Sequence, residues 1–192
     1  MAIKALVFDN FGVLMDVVYG SLRHVLPVEA RARLLSILDE ADNGRISADD
    51  ELKQIVELLN EYNLDGAEQV AKAIQFSEKN DELLNFILEK RDQYKTAMLS
   101  NVSAVIWNYY TPEQMEKYFD RVVLSYQEAI AKPDPRIYQL VCKRLGVEPS
   151  ECVFADDNEV NVDEANKIGM HGIVFTSNGD YFAKLEEILD RA

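Results

Sequence analysis

Ile3 to Phe8 is a short, nearly continuous apolar run, the pattern of a strand covered on both faces. It ends in Asp9-Asn10-Phe11-Gly12, so a carboxylate arrives where the chain turns. After Leu14 the apolar positions take up helical spacing and keep it to about Tyr94. Pro27-Val28-Glu29-Ala30 opens a helix with Ala30, Leu34, Leu35 and Leu38 on its apolar face. Ser47-Ala48-Asp49-Asp50 caps the next, which runs through Leu52, Ile55, Val56 and Leu59. Gly66 to Phe76 and Asn80 to Gln93 complete the block. Beyond Tyr94 strands and helices alternate. Thr96 to Leu99 is a strand ending in Ser100-Asn101, and a polar, aromatic helical stretch follows. Val122 to Leu124 is a strand ending in Ser125; Asp134-Pro135 starts a helix to about Leu145, with Gly146 as its cap. Cys152 to Ala155 is a strand ending in Asp156-Asp157, Val160 to Ile168 a helix stopped by Gly169, Ile173 to Phe175 a strand and Tyr181 to Leu189 a closing helix.

Strands alternating with helices imply a parallel α/β sheet with crossover helices, and the all-helical block is an insertion after the first strand. The expected division is a core of residues 1–14 and 79–192 with residues 15–78 inserted. Composition narrows the partners. The 192 residues are 48% hydrophobic, enough for a sizeable core, and carry a net charge of -14. That charge excludes a nucleic-acid or anionic-membrane partner, because phosphate backbones attract Lys and Arg. A small phosphate ligand stays open if a cation or lysine sits in the site itself. Cys142 and Cys152 form no ligand cluster or disulfide framework and read as two reduced, packed thiols. No apolar stretch is long enough to span a bilayer and no signal-peptide pattern is present, so the expected location is cytoplasmic.

The strand ends carry the chemistry. Asp9, then Ser100-Asn101, then Lys132, then Asp156-Asp157 fall along one rim of a parallel sheet, where ligands bind. Singly, Ser100-Asn101 reads as a helix cap, Lys132-Pro133 as a loop and Asp156-Asp157 as a solvated turn. Together and in order they match phosphoryl transfer through an aspartyl phosphate: one carboxylate attacks, others hold Mg²⁺, a hydroxyl and an amide hold phosphoryl oxygens, and an ammonium offsets their charge.

The segments Phe8-Asp9-Asn10-Phe11-Gly12-Val13, Leu99-Ser100-Asn101, Ala131-Lys132-Pro133-Asp134-Pro135-Arg136-Ile137-Tyr138 and Phe154-Ala155-Asp156-Asp157-Asn158, through Asn161-Val162 to Ala165 and Gly169, resemble the haloacid dehalogenase superfamily. Within it the chain looks most like the small-capped glucose-1-phosphate phosphatase-like group. The resemblance implies a three-layer, Rossmann-like core and a mobile helical cap. It implies that Asp9 is nucleophile and Mg²⁺ ligand, that the Phe11 carbonyl and Asp157, with Asp156 beside it, are metal-binding positions, and that Ser100, Asn101 and Lys132 bind the phosphoryl group.

One position departs from the family. Most of its phosphatases carry a second aspartate two residues after the nucleophile, to protonate the leaving oxygen and then activate water; here that residue is Phe11. Asp16 is a candidate replacement, against the alternative of a linker or cap-helix residue. Arg23 and His24 could also reach a substrate, though surface or cap-packing roles are the more ordinary ones. The family's true dehalogenases commonly have tyrosine at the Phe11 position, but they lack the paired acids at the fourth strand end. Asp156-Asp157 therefore favour a metal and a phosphate.

Asp39-Glu40-Ala41-Asp42-Asn43-Gly44-Arg45-Ile46-Ser47-Ala48-Asp49-Asp50 resembles a calcium-binding EF-hand loop, yet Ala41 stands where an oxygen donor belongs and Asp50 where a bidentate Glu is expected. The expected structure there is a helix-turn-helix broken at Gly44 and capped by Ser47. Trp107, Tyr109 and Tyr110 are either an aromatic wall of the cleft or helix packing. The functional expectation is an Mg²⁺-dependent phosphatase acting on a small phosphomonoester, a sugar phosphate first. The competing readings are a metal-free 2-haloacid dehalogenase using Asp9, and a catalytically weak phosphate-binding or regulatory protein.

Overall fold

The computed structural model describes residues 2–15, 20–75, 78–107 and 112–191. Five parallel strands form one sheet: β1 (Ala5–Phe8), β2 (Lys95–Ser100), β3 (Arg121–Leu124), β4 (Cys152–Asp156) and β5 (His171–Val174), in the spatial order β3-β2-β1-β4-β5. All four residues of β1 are buried. The chain builds outward from β1 through β2 to β3, then returns to place β4 on β1's other edge. Strand order therefore reverses at β1, and such a switch point opens a crevice at the carboxyl ends of the strands. Register aligns the ends, with Phe8 opposite both Met98 and Ala155. Asp9 N–H extends the ladder to the Ala155 carbonyl at 2.8 Å.

Alternation along the strands feeds two separate cores. Leu6, Phe8, Met98, Val153 and Ile173 pack on one face; Ala5, Val7, Ala97, Leu99, Val123 and Phe154 pack on the other. The second face is covered from α9 (Pro135–Leu145) and α10 (Glu159–Lys167), through Ile137, Tyr138, Val141 and Ala165. The first is covered from α5 (Asp81–Lys90) and α11 (Asn178–Arg191), through Leu83, Leu84, Ile87, Tyr181 and Leu185. The result is the three-layer α/β architecture that the apolar strand runs imply. Ile3, an expected strand residue, precedes β1, and Ser125, expected as a strand end, begins the short helix α8 (Ser125–Glu128).

Between β1 and α5 lie α1 (Gly20–Val25), α2 (Val28–Asp42), α3 (Ala48–Glu61) and α4 (Gly66–Gln75). Leu22, Leu26, Ala30, Leu34, Ile55, Leu58, Leu59 and Val70 bury their side chains in the same cluster as Leu14 and Met15. Leu35, placed by spacing on the apolar face of α2, is exposed, because the stripe actually buried runs through Ala30, Leu34 and Ala41. Ser47 caps α3 as expected, its side chain accepting from Asp50 N–H, and Gly44 makes the turn with a φ of +66°. The segment forms the expected turn between the two helices, and the Asp39 carboxylate is engaged by Arg45 and Asn43. The block stands on the rim: α2 packs against α8, and α3 against α6 (Ala104–Trp107). Cys142 and Cys152 are free and buried, their sulfurs 3.6 Å apart across α9 and β4.

Tyr138 joins the second core to the rim. Its ring meets Phe154 edge-on and its hydroxyl donates to the Asn161 carbonyl at 3.0 Å. Tyr138→Phe should cost about 1 kcal/mol in urea denaturation, leaving one buried carbonyl short of its partner.

Candidate active site

Four strand ends meet as the parallel register requires. Lys132, on the loop after α8, is buried, and its ammonium lies 2.7 Å from Asp9 Oδ1 and 2.6 Å from Asp156 Oδ2. Its Nζ also stands 5.5 Å from the centre of the Phe154 ring. Burial alone would lower the Lys132 pKa; the carboxylates of Asp9 and Asp156 outweigh it and hold the ammonium above its ordinary value. Asp9 is pushed up to about 7, mainly by burial and further by Asp156, against the pull of Lys132 and of the Asn10 N–H at 2.7 Å.

Asp156 and Asp157 have separated roles. Both Asp156 oxygens are occupied: Oδ1 accepts from Asn158 N–H and the Asn161 amide, Oδ2 from Lys132 and the same amide. Asp156 is thereby an anchor for Lys132. Asp157 is exposed, and its pKa is raised by partial burial and by Asp156. Asp9, Asp156 and Asp157 each offer a carboxylate oxygen within 4.8 Å of the others, the one such grouping of three acids among the described residues. Acids crowded this closely resist ionising together, and a divalent cation relieves that cost. Hard oxygen donors suit Mg²⁺. With Asp156 saturated, the oxygens free to coordinate are on Asp9 and Asp157. Gly12 permits the arrangement: at φ +83°, a Cβ there would stand 2.4 Å from Asp157 Oδ2.

Asn101 faces Lys132 from β2's end. Its side-chain amide donates to the Lys132 carbonyl at 2.9 Å and accepts from the Lys132 N–H at 2.8 Å. Both polar atoms therefore brace the lysine loop. Ser100 is fully buried at the end of β2. Phe11 packs its side chain against the first core.

Sequence reasoning missed two contributors. The Ser125 hydroxyl accepts from Val102 N–H at 3.0 Å and donates to the Asp42 carbonyl, tying the end of α2 to the loops after β2 and β3. Asp42 itself feels both Asp9 and Lys132. Burial, then Glu51, Asp39 and Asp9, push its carboxyl up to about 7 against the opposing pull of Lys132. Nothing local marks Asp42; it reads as the last residue of a helix. Of the other expected positions, Asp16, Tyr109 and Tyr110 lie outside the described residues, as does the Arg23 side chain. His24 is exposed, and Trp107 is partly buried against the first core.

Residues 3–169 match the family of haloacid dehalogenase-like hydrolases. The chain is 29% identical to D-ribitol-5-phosphate phosphatase of Bacteroides thetaiotaomicron, over 98% of this chain and 99% of that protein. It is 25% identical to (S)-2-haloacid dehalogenase 4A of Burkholderia cepacia, over 93% of this chain and 85% of the other. Among solved structures it superposes, with a TM-score of 0.76 and 26% identity, on a wild-type haloacid dehalogenase-family enzyme of Bacteroides thetaiotaomicron in complex with magnesium and inorganic phosphate. That match covers 92% of this chain and 96% of that one.

Lys132→Met should destabilise the fold by about 3–5 kcal/mol at pH 8, because it leaves two buried carboxylates without their cation. Lacking the lysine, Asp9 loses the charge that opposes its burial, and its folded-state pKa stands further above the unfolded one. The variant then keeps its stability at low pH and loses it as pH rises, so urea denaturation should show a smaller deficit at pH 5 than at pH 8. Gly12→Ala should leave the fold intact while displacing the Asp157 carboxylate, weakening Mg²⁺ binding by roughly 10- to 100-fold in calorimetric titration.

Proposed function

The chain belongs to the haloacid dehalogenase-like hydrolase family, and we propose that it is an Mg²⁺-dependent phosphatase of small phosphomonoesters, with phosphorylated sugars or polyols as the preferred class. The observation that carries this reading is the meeting of three carboxylates with one buried lysine at the end of β1. Displacing a halide by a carboxylate needs a nucleophile but no cation, so it gives no reason to crowd Asp156 and Asp157 against Asp9. Transfer of a dianionic phosphoryl group does need concentrated positive charge. The likeness to a ribitol-phosphate phosphatase along nearly the whole chain points to the same substrate class.

In this reading Asp9 and Asp157, with the Phe11 carbonyl, hold the ion, and Asp156 keeps Lys132 in place. Bound Mg²⁺ supplies charge neutralisation at the phosphoryl oxygens and favours ionised Asp9. The Asp9 carboxylate attacks phosphorus in line, the ester oxygen departs, and water then hydrolyses the aspartyl phosphate. Lys132, held against Asp9 by its anchor, offsets the charge of the phosphoryl group at the nucleophile. Ser100, buried at the end of β2, is assigned to the phosphoryl group, and Asn101 acts through the lysine loop that it braces. Residues 15–78 act as a cap over the strand ends.

With Mg²⁺, the purified protein should hydrolyse D-ribitol 5-phosphate or a related sugar phosphate, and p-nitrophenyl phosphate. EDTA should abolish both activities, and Asp9→Asn should lower them on the order of 10⁴-fold or more. Metal-independent halide release from a 2-haloacid, with no phosphate release from any ester, would replace this reading by the dehalogenase one.

A further inference from the structure

Phosphate release from an alkyl ester needs a proton for the departing oxygen, and Phe11 cannot supply one. We infer that Asp42, at the end of α2, is the general acid and base of the reaction, delivered to the rim by the inserted helices. The inference rests on the phosphatase reading above and assigns its missing proton carrier.

Placement is the first support. The end of α2 is clamped to the rim at two successive points. The Ser125 hydroxyl donates to the Asp42 carbonyl while accepting from Val102 N–H. Two residues on, Gly44 passes so close to Tyr126 that a Cβ there would stand 2.7 Å from its carbonyl oxygen. Val102 adjoins Asn101, which grips the backbone of Lys132, whose ammonium touches Asp9. A short series of contacts thus ties the Asp42 main chain to the loops that carry Asn101 and Lys132, the nucleophile's neighbour.

The second support is electrostatic. The Asp42 carboxyl lies in the fields of Asp9 and Lys132 from the rim, of Glu51 from α3, and of Asp39 one turn back on its own helix. Three acids and burial against one lysine keep it protonated to about neutral pH, the state a general acid needs before the first step. The other carboxyls at the strand ends are committed. Asp9 is the nucleophile, Asp156 has both oxygens occupied, and Asp157 belongs to the metal grouping.

The proton balance closes. As the Asp9 oxygen bonds to phosphorus and the bond from phosphorus to the ester oxygen breaks, Asp42 gives its proton to that oxygen and the alcohol leaves neutral. Asp42, now a carboxylate, takes a proton from the water that attacks the aspartyl phosphate. The acyl phosphate bond breaks, inorganic phosphate departs, and both aspartates return to their starting states.

The test compares leaving groups in the Mg²⁺-loaded protein. Asp42→Asn should lower kcat/KM for a sugar phosphate by about 10²- to 10⁴-fold. With p-nitrophenyl phosphate, whose phenolate leaves without a proton, the same variant should release one rapid equivalent of nitrophenolate and then turn over slowly, with aspartyl phosphate accumulating in acid-quenched samples. The fall in wild-type kcat/KM for the sugar ester above about pH 7 should vanish in the variant. Asp42→Glu, which keeps a carboxyl, should restore part of the sugar-phosphate activity and its pH dependence; thermal melts establish that each variant is folded. Equal losses on both esters without a burst, or appearance of the burst in Asp16→Asn instead, would overturn the role of Asp42 while leaving the phosphatase reading standing. Hydrolysis of neither ester by wild-type protein, or hydrolysis undiminished by Asp9→Asn, would overturn both.

Discussion

A single buried ammonium governs this rim. Lys132 sits between Asp9 and Asp156, with its side chain and that of Asp156 almost wholly removed from water. Burying an ion is costly, and burying two carboxylates beside each other is costlier still; each is tolerable here only because the lysine offsets both. The surrounding hydrogen bonds hold that balance. Asn101 grips the lysine's backbone, Asn161 and the Asn158 N–H fill the remaining lone pairs of Asp156, and Tyr138 steadies Asn161 from the second core. A sheet with β1 between β2 and β4 is what brings these groups into one place.

The two parts of the chain on either side of that rim contribute different chemistry. The sheet contributes three clustered carboxylates and a buried lysine on short loops whose positions follow strand register; in the proposed reaction these are the nucleophile and the metal-binding set. The inserted helices reach the rim through specific contacts at Ser125 and Tyr126 rather than through apolar packing alone, and in the proposed function they enclose the substrate. An acid carried on the insertion protonates a leaving group only while the insertion is seated. Substrate closure and proton transfer would thereby become one event, which limits unproductive hydrolysis when the site is open to water.

Similarity to both a phosphatase and a dehalogenase follows from what the two reactions share. Each begins with a strand-end carboxylate displacing a leaving group. They part over charge: a phosphoryl dianion must be neutralised where it is transferred, whereas a halide departs with its own. The density of acidic groups at the end of β4, beside a lysine, is the feature of this chain that discriminates between them.

Much of this was legible in the amino-acid sequence. The apolar runs of β1, β2 and β4 and the caps at Ser47, Asp134 and Gly146 are local, and local sterics and hydrogen bonding suffice to specify them. The order of Asp9, Ser100-Asn101, Lys132 and Asp156-Asp157 followed from the rule that parallel strands share one catalytic edge. Partnership was not legible. Asn101 reads as a ligand for phosphate, but it meets Lys132 thirty-one residues on and binds its backbone. The paired acids read alike, yet one is saturated by Lys132 and Asn161 while the other is left to face solvent. Asp42 reads as the end of a surface helix and lies eighty-three residues from the serine that seats it. The sequence by itself determined which elements form and which chemical groups reach the rim, because periodicity and turn chemistry act over a few residues. Only the tertiary structure decided which groups are paired, buried or left free, because burial and electrostatic partners come from chain segments that are distant until the sheet is assembled.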